Sequence, residues 1–174
     1  MCVTRWEVPI NIVHNKTVRY FNSVPDHFAL DQQVCFALYR ASRATTAVYR
    51  PHLDRLGVTY PQYLVLLALW ERDARGVQDL CDALDLDTGT LSPLLKRLET
   101  AGLVERRRQR ADERRVVVHL TDAGIALRKD AEDIPGCVAR AGRLDLDELV
   151  ALRDTLHRLT ASLQDAAGDT PEER

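Results

Sequence analysis

The pattern that most restricts how this chain can fold lies in residues 77–120. Residues 77–84 place apolar side chains at helical spacing, and residues 88–102 form a second, longer helical pattern. Asp87 and Thr88 are both available as the N-cap of this second helix. Two short amphipathic helices joined by a tight link are typical of a helix-turn-helix.

A hairpin pattern follows the second helix directly. Residues 103–107 and 115–120 predict two strands, and residues 108–114 form a basic, polar tip between them. Arginine clusters are usually solvated surface, but a basic hairpin at this place in the chain is typical of a wing. We therefore predict a mainly α-helical chain with a small β-wing. Its architecture is a winged helix-turn-helix with N- and C-terminal dimerisation helices.

Two sets of polar side chains are the predicted DNA contacts. Leucines form the buried stripe of the second helix, which leaves outward Thr88, Thr90, Ser92, Lys96 and Arg97. The predicted contacts of the wing are Arg108, Arg110, Asp112, Arg114 and Arg115. We expect the helix to enter the major groove of double-stranded DNA, while the arginines reach phosphates or the narrow minor groove. Asp112 can hold an arginine extended through a bidentate pair.

Net charge and cysteine usage limit the class of protein. The formal net charge is −2, so a DNA-binding surface must be local. Four widely spaced cysteines form no metal pattern, which argues for a reducing compartment and against both a disulfide framework and a zinc site. No apolar run is long enough to span a membrane, and the start lacks the order of a signal peptide. We expect a cytoplasmic protein with no cofactor, no metal and no membrane partner.

A long helix is predicted over residues 31–56, with one buried face. The residues that recur on that face at helical spacing are Val34, Cys35, Leu38, Ser42, Thr45, Tyr49 and Leu53. The next helix starts at residues 59–61, where a proline occupies the first turn. Because this helix is hydrophobic on nearly every side, we expect it to be the centre of the core.

The C-terminal part predicts helices suited to dimerisation. A helix capped by Thr121 or Asp122 runs towards Ile134, and a last helix opens with a capping box at residues 145–148. Leucines then recur every three or four residues, at Leu149, Leu152, Leu156, Leu159 and Leu163. This seam is consistent with a dimer, although packing on the first helix of the same chain produces the same pattern.

The predicted organisation therefore has five parts. Residues 1–30 show no clear periodicity and are interpreted as an extension that is partly disordered or packed against a partner. The parts that follow are the first dimerisation and sensor helix at 31–60, the DNA-binding lobe at 61–122, the C-terminal dimerisation helices at 123–165 and a frayed tail at 166–174.

Cys35 lies at the start of the apolar face of the first helix. A free cysteine in such a place is more often a small buried hydrophobe than a reactive thiol, and both interpretations stay open. Fourteen residues separate Cys35 from Tyr49, roughly 21 Å along a helix at 1.5 Å per residue. The two side chains of one chain cannot touch along a straight helix, so any contact between them requires a dimer. Cys81 lies beside leucines and is interpreted as packing.

Two runs carry a family resemblance. Residues 89–99 read GTLSPLLKRLE, and residues 35–39 read CFALY. Supporting runs lie at 49–51, 56–66, 69–71, 112–114 and 133–136. The first run resembles the MarR family of dimeric winged-helix regulators, and the second resembles its organic-hydroperoxide-sensing (OhrR-type) branch. The resemblance covers residues 31–165.

The resemblance implies a sensor built around one thiol. It implies that Cys35 reacts with an organic hydroperoxide, and that Tyr49 and Tyr60 of the other subunit hydrogen-bond to the thiolate. Side chains implied near this site are Phe36 and Tyr39. The sulfenic acid that forms is resolved in some relatives by a second cysteine and in others by a small thiol. Cys137 lies in the right region to be the resolving cysteine.

The resemblance also implies a homodimeric transcriptional repressor that binds a pseudo-palindromic operator and is not an enzyme. Half-sites one helical turn apart require a fixed spacing of the two recognition helices, so a shift on oxidation releases the DNA. Two alternatives stay open. One is a MarR-type regulator released by a small phenolic ligand without cysteine chemistry, and the other is a thiol peroxidase, for which no recycling cysteine pair is found.

Overall fold

The computed structural model describes residues 28–109 and 112–168, without the side chains of residues 109 and 112–115. The predicted N-terminal extension up to residue 27, the tail beyond residue 168 and Arg110 lie outside the described residues. The chain divides inside its first long helix into two units, one up to Ser42 and one from Arg43 onward.

The described residues confirm the prediction of a mainly α-helical chain with a small wing. A 3-10 turn, Leu30–Gln32, lies directly before the first long helix. The elements are α1 (Val34–Leu56), α2 (Tyr60–Glu71), β1 (Arg75–Gly76), α3 (Val77–Leu84), α4 (Thr88–Thr100), β2 (Val104–Gln109), β3 (Asp112–Leu120), α5 (Asp122–Asp130), α6 (Cys137–Gly142) and α7 (Leu146–Gly168).

The apolar face of α1 is largely uncovered in the single chain. In the first unit Val34 is 62% exposed, and Cys35 and Leu38 are exposed as well. Further along α1, Tyr49 is half-buried and only Leu53 is fully buried. The predicted burial of the whole face is therefore wrong for the single chain, because apolar spacing shows which side of a helix avoids water and not which molecule covers it.

The core of the second unit is built around α2, as predicted. The backbone N–H of Thr59 donates to Oε1 of Gln62 at 2.8 Å, and Pro61 lies in the first turn. This capping box begins the helix with its first donors satisfied. The buried apolar side chains of α2 are Tyr63, Val65, Leu66, Ala68 and Leu69. They pack on leucines of α3 and α4, which places the helix-turn-helix directly on the core.

Local signals set the ends of α3 and α4. Asp85 ends α3 in the left-handed region with φ of 53°. Of the two predicted caps of α4, Asp87 is the one used, because its carboxylate accepts the backbone N–H of Thr90 at 2.8 Å. Pro93 lies inside α4 without ending it. The predicted stripe of the helix is buried at Leu91, Leu95 and Leu98, with Leu94 packed against it.

The wing is part of a three-stranded antiparallel sheet with the order β1-β3-β2. The short strand β1 pairs Arg75 with Val118. The wing strands are also longer than predicted, since Gln109 pairs with Asp112 beyond a shift in register after Arg108. Strand ladders are joined by backbone groups, so the polar tip could continue the hairpin although its side chains gave no strand signal.

The last three helices follow the wing. Thr121 caps α5 by accepting the backbone N–H of Gly124 at 3.1 Å. The helix ends at Asp130, short of the predicted Ile134, and Cys137 begins the separate helix α6. α7 opens with the predicted capping box, in which Asp145 and Glu148 exchange side-chain and backbone hydrogen bonds at 2.9 and 2.8 Å. No described side chain of α7 is buried.

Candidate DNA interface and sensor thiol

The polar face of α4 is presented to solvent. Thr88, Thr90, Lys96 and Arg97 are exposed, and Ser92 is half-buried. Neither Lys96 nor Arg97 makes an ion pair with another described residue. Both cations are therefore available to an anionic partner such as the phosphates of DNA.

The hydroxyls of this face hold the start of the helix. Oγ1 of Thr90 donates to Asp87 at 2.7 Å, and Oγ of Ser92 donates to the carbonyl oxygen of Thr88 at 2.7 Å. Hydrogen bonds from Thr90 lower the pKa of Asp87, so the capping carboxylate is ionised at neutral pH. These hydroxyls use their protons locally, and their oxygens stay able to accept hydrogen bonds from the base edges of DNA.

The wing carries three consecutive arginines with different surroundings. Arg106 pairs with Glu99 of α4, and Arg107 pairs with Glu105 of its own strand. Arg108 is exposed and has no ion pair among the described residues. The backbone of the other predicted contacts lies in β3, and their side chains lie outside the described residues, at Asp112, Arg114 and Arg115.

The first unit presents the candidate sensor thiol. Cys35 is the second residue of α1, and it is the only exposed cysteine among the described ones. The rings of Phe36 and Tyr39 stack with centroids 6.5 Å apart, and the guanidinium of Arg40 lies 5.7 Å from the Phe36 ring centroid. An exposed thiol in the first turn of a helix is accessible and lies at the positive end of the helix dipole.

The second unit contains a cluster of phenols. The ring of Tyr49 lies 5.2 Å from that of Tyr60 and 6.0 Å from that of Tyr63, measured between centroids. Burial first, and then the neighbouring thiol and phenols, raise the pKa of Tyr49 to about 12. Burial also raises the pKa of Tyr63. The hydroxyls of Tyr49 and Tyr63 thus keep their protons at neutral pH and can donate hydrogen bonds.

Cys137 belongs to the same cluster. It is buried, with 4% of its surface exposed, at the start of α6. It lies close enough to Tyr49 and Tyr63 to raise the pKa of both phenols. Cys81 is also buried and packs in the core of the helix-turn-helix, 3.9 Å from Oγ1 of Thr88, as the packing interpretation predicts.

A cavity of about 390 Å³ opens beside the aromatic cluster. Its lining includes Tyr63 and Trp70 of α2 and, from the region of α5, Arg128 and Glu132. Within the described residues, no group of three His, Cys, Asp or Glu side chains is placed to hold a metal ion. None of the described helices combines the length and apolar character needed to cross a bilayer.

The chain resembles known regulators over most of its length. A family model described as transcriptional regulator SarA/Rot matches residues 47–130. The organic hydroperoxide resistance transcriptional regulator of Bacillus subtilis is 44% identical over 138 residues, which cover 79% of this chain and 94% of the relative. The chain belongs to the MarR family. Within this family of winged-helix regulators it lies in the organic hydroperoxide resistance branch.

Solved structures of the MarR-family protein AbfR of Staphylococcus epidermidis share the fold. Reduced AbfR bound to DNA is 35% identical with a TM-score of 0.70, and the match covers 79% of this chain and 94% of AbfR. AbfR with a formed disulfide is 35% identical with a TM-score of 0.57, covering 80% and 93%. These relatives are DNA-binding transcriptional regulators and not enzymes. This MarR-family chain is likewise a DNA-binding transcriptional regulator.

Sequence reasoning alone misses three residues of these sites. Tyr63 reads as a core residue of α2, and only the packing of α1 against α2 shows that its ring faces Tyr49. Glu99 and Arg106 belong to different predicted elements, and their contact depends on the turn between them. The signal in the sequence that could have indicated this contact is the opposite charge of Glu99 and Arg106 on either side of Gly102, which ends the helix.

Proposed function

We propose that this MarR-family regulator is a homodimeric repressor that leaves its operator when an organic hydroperoxide oxidises Cys35. The observation that carries the proposal is the exposed Cys35 thiol in the first turn of α1. The 44% identity to an organic hydroperoxide resistance regulator gives the class of oxidant. The protein acts on DNA, and we place it in the cytoplasm, where thiols are kept reduced.

The first chemical step consumes one hydroperoxide. The Cys35 thiolate attacks the outer oxygen of the O–O bond, which breaks, so that the sulfur becomes a sulfenic acid and the peroxide leaves as an alcohol after taking a proton. Tyr49 and Tyr60 of the partner subunit donate hydrogen bonds to the thiolate. The raised pKa of Tyr49 supports this assignment, since a phenol that keeps its proton is a donor.

We assign the thiol and the phenols to different subunits, because fourteen residues separate Cys35 from Tyr49 in the sequence, roughly 21 Å along a straight helix at 1.5 Å per residue. The dimer is supported by α7, a helix of 23 residues that buries no described side chain. Leu146 is 75% exposed and Leu163 is 58% exposed, and a second copy of the chain is the cover we propose for them.

The second chemical step joins two cysteines. We assign Cys137 as the resolving thiol, because it lies in the tyrosine cluster to which the partner's Cys35 is proposed to bind. Its thiol attacks the sulfenic acid, so that a disulfide forms and water leaves. The disulfide-formed structure of AbfR supports this type of product in the family. A mixed disulfide between Cys35 and a small cellular thiol is the competing product.

The release of DNA follows from the geometry of two half-sites. In a reduced dimer, the two α4 helices are held at the spacing of half-sites one helical turn apart. Losing the thiolate–tyrosine hydrogen bonds and drawing Cys137 out of its buried place rearranges the region between the two subunits. A shift of the recognition helices then removes contacts in one half-site or the other.

The deciding experiment compares Cys35→Ser with wild-type protein. The DNA probe is a duplex that reduced wild-type protein selects from a randomised library. We expect both proteins to bind it equally, and cumene hydroperoxide to release only the wild type in a gel-shift assay. Cys81→Ala, which changes a buried cysteine away from the tyrosine cluster, is the matched control and should respond like the wild type. Equal release of Cys35→Ser would reject the redox mechanism.

Mass spectrometry under non-reducing conditions tests the second step on the same samples. We expect one equivalent of hydroperoxide to yield a dimer linked between Cys35 and Cys137. In Cys137→Ser this linked dimer should be absent and a sulfenic acid or a small-thiol adduct should take its place. An unlinked wild-type protein that carries only a small-thiol adduct would remove Cys137 from the mechanism while leaving Cys35 as the sensor.

A second candidate function is release by a small phenolic ligand without cysteine chemistry. The observation that favours it is the cavity of about 390 Å³ beside Tyr63 and Trp70, with Arg128 available to a carboxylate. The test uses a variant in which every cysteine is replaced. Release of this variant from the selected duplex by salicylate would favour the ligand-released regulator. Continued binding in the presence of salicylate would favour the redox repressor.

A further inference from the structure

One ion pair joins the recognition helix to the wing. Glu99 lies in the last turn of α4, Arg106 lies in β2, and the chain turns between them at Gly102, which has φ of +71°. The Glu99 carboxylate accepts the backbone N–H of Arg106 at 3.3 Å, its Nε–H at 3.0 Å and its Nη2–H at 2.5 Å. A carboxylate that binds a guanidinium fork and a backbone amide together fixes an angle as well as a distance.

Glu99 also lies on the face of α4 that reads DNA. Ser92, Lys96 and Glu99 follow one another at spacings of four and three residues, so their side chains share one side of the helix. A bare carboxylate on that side repels phosphates. Hydrogen bonds from Arg106 lower the pKa of Glu99, and the same contact raises the pKa of Arg106, so both groups are charged and paired at neutral pH.

The neighbouring arginines do not make this connection. Arg107 pairs with Glu105 inside β2, so its ion pair stays within one strand. Arg108 is exposed and makes no ion pair with another described residue. Of these three residues, only Arg106 binds a side chain of α4.

We propose that Glu99 and Arg106 are positioning residues of the DNA interface. Their contact sets the direction in which the wing leaves the recognition helix, and it neutralises the one carboxylate on the reading face between Ser92 and the end of α4. Arg106 itself makes no phosphate contact. The proposal goes beyond redox sensing and depends only on DNA binding, so it can be tested in the reduced protein whether or not Cys35 is a sensor.

The test measures the affinity of reduced, full-length protein for the selected duplex over a range of salt concentrations. The variants are Glu99→Ala, Arg106→Ala and the double variant, with Arg107→Ala as the matched control. We expect each single variant to weaken binding by about fivefold to tenfold, and the double variant to bind no more weakly than Arg106→Ala, because residues in one contact are coupled. Arg107→Ala should stay within about twofold of the wild type, as expected of an exposed pair within one strand.

The dependence of affinity on salt separates positioning from phosphate contact. A lost phosphate contact reduces the slope of log affinity against log salt by about one, which we expect for Arg108→Ala and not for Arg106→Ala. A reduced slope in Arg106→Ala, with unchanged or tighter binding in Glu99→Ala, would make Arg106 a phosphate contact and overturn the proposal. A lower melting temperature with unchanged affinity would make the pair purely structural and overturn it as well.

Glu99→Gln is the control for a loss of affinity that is caused by misfolding, because it keeps the shape of the side chain and an oxygen that accepts hydrogen bonds. We expect Glu99→Gln to bind DNA with an affinity between that of the wild type and that of Glu99→Ala. Its melting temperature should equal that of the wild type. Wild-type affinity in both Glu99 variants would overturn the proposal.

Discussion

Tyr49 shows how one residue serves both packing and the proposed sensor. It is half-buried in α1 and its ring contacts those of Tyr60 and Tyr63. Burial and its ionisable neighbours raise the pKa of its phenol to about 12. A phenol of this kind stays protonated over the pH range in which a cysteine thiolate forms, so it can donate to a thiolate without itself becoming an anion.

The raised pKa of Tyr49 predicts a loss of stability in alkali. The unfolded chain releases the phenol proton near the ordinary pKa of about 10, whereas the folded chain keeps it until about 12. Stability from this group is therefore complete below pH 10 and falls as the pH rises towards 12, because the unfolded state then binds fewer protons. Chemical denaturation at several pH values should show a smaller fall in Tyr49→Phe than in the wild type.

Leu53→Ala is the control for this measurement, since it changes a buried side chain of α1 that has no proton to release. Its alkaline fall should match that of the wild type. An equal fall in Tyr49→Phe and the wild type would show that the proton on Tyr49 does not contribute to stability.

At the scale of elements, α5 approaches the base of the wing and α2 closely. The carbonyl oxygen of Gly124 accepts Nε1–H of Trp70 at 2.9 Å, which joins α5 to α2. A Cβ atom at Gly124 would lie 2.0 Å from the carbonyl oxygen of Leu103. That oxygen accepts the backbone N–H of Thr121, so it cannot move freely.

Gly124→Ala is therefore expected to destabilise the fold. The added methyl group meets backbone and not a flexible side chain, and we expect the free energy of unfolding to fall by about 2 kcal/mol or more, as overpacking in a tight site does. Thermal or urea unfolding measures the change. Gly142→Ala is the matched control, because its Cβ would meet Leu144 at an ordinary 3.5 Å. Equal stability of the two variants would contradict the close approach of α5 to Leu103.

At the scale of the whole molecule, several large apolar side chains on the described helices are exposed. In the first unit, Val34 at the start of α1 is 62% exposed. In the second unit, α7 exposes Leu146, Leu152 and Leu163 to 75%, 49% and 58%. Monomeric proteins seldom leave so many large apolar side chains along one helix in water, which supports the proposed homodimer.

Two aspartates on α7 should dissociate the dimer. Leu152→Asp combined with Leu163→Asp places charges on the leucine seam, and we expect sedimentation velocity to show a monomer where the wild type sediments as a dimer. DNA affinity should also fall, because each monomer then binds a single half-site. Ile125→Asp, which is 56% exposed on α5, is the control and should stay dimeric. A dimeric double variant would exclude the seam as the interface.

The sequence by itself determined the elements whose causes are local. A cap at Asp87 or Thr88, the capping box at residues 145–148 and the apolar composition of α2 depend on groups within about four residues of one another, so they can be recognised before any packing is known. The winged helix-turn-helix follows from the order of α3, α4 and the hairpin, and the family run at residues 89–99 lies on α4.

Only the tertiary structure decided which distant residues meet. The pairing of Arg75 with Val118, the contact of Tyr49 with Tyr63 and the ion pair of Glu99 with Arg106 all depend on how helices and strands pack. The single chain likewise left the face of α1 uncovered, although its periodicity predicted burial. The physical reason is the same in each case: a local pattern states that a side chain needs a partner, whereas the identity of that partner is set by the close packing of the whole molecule.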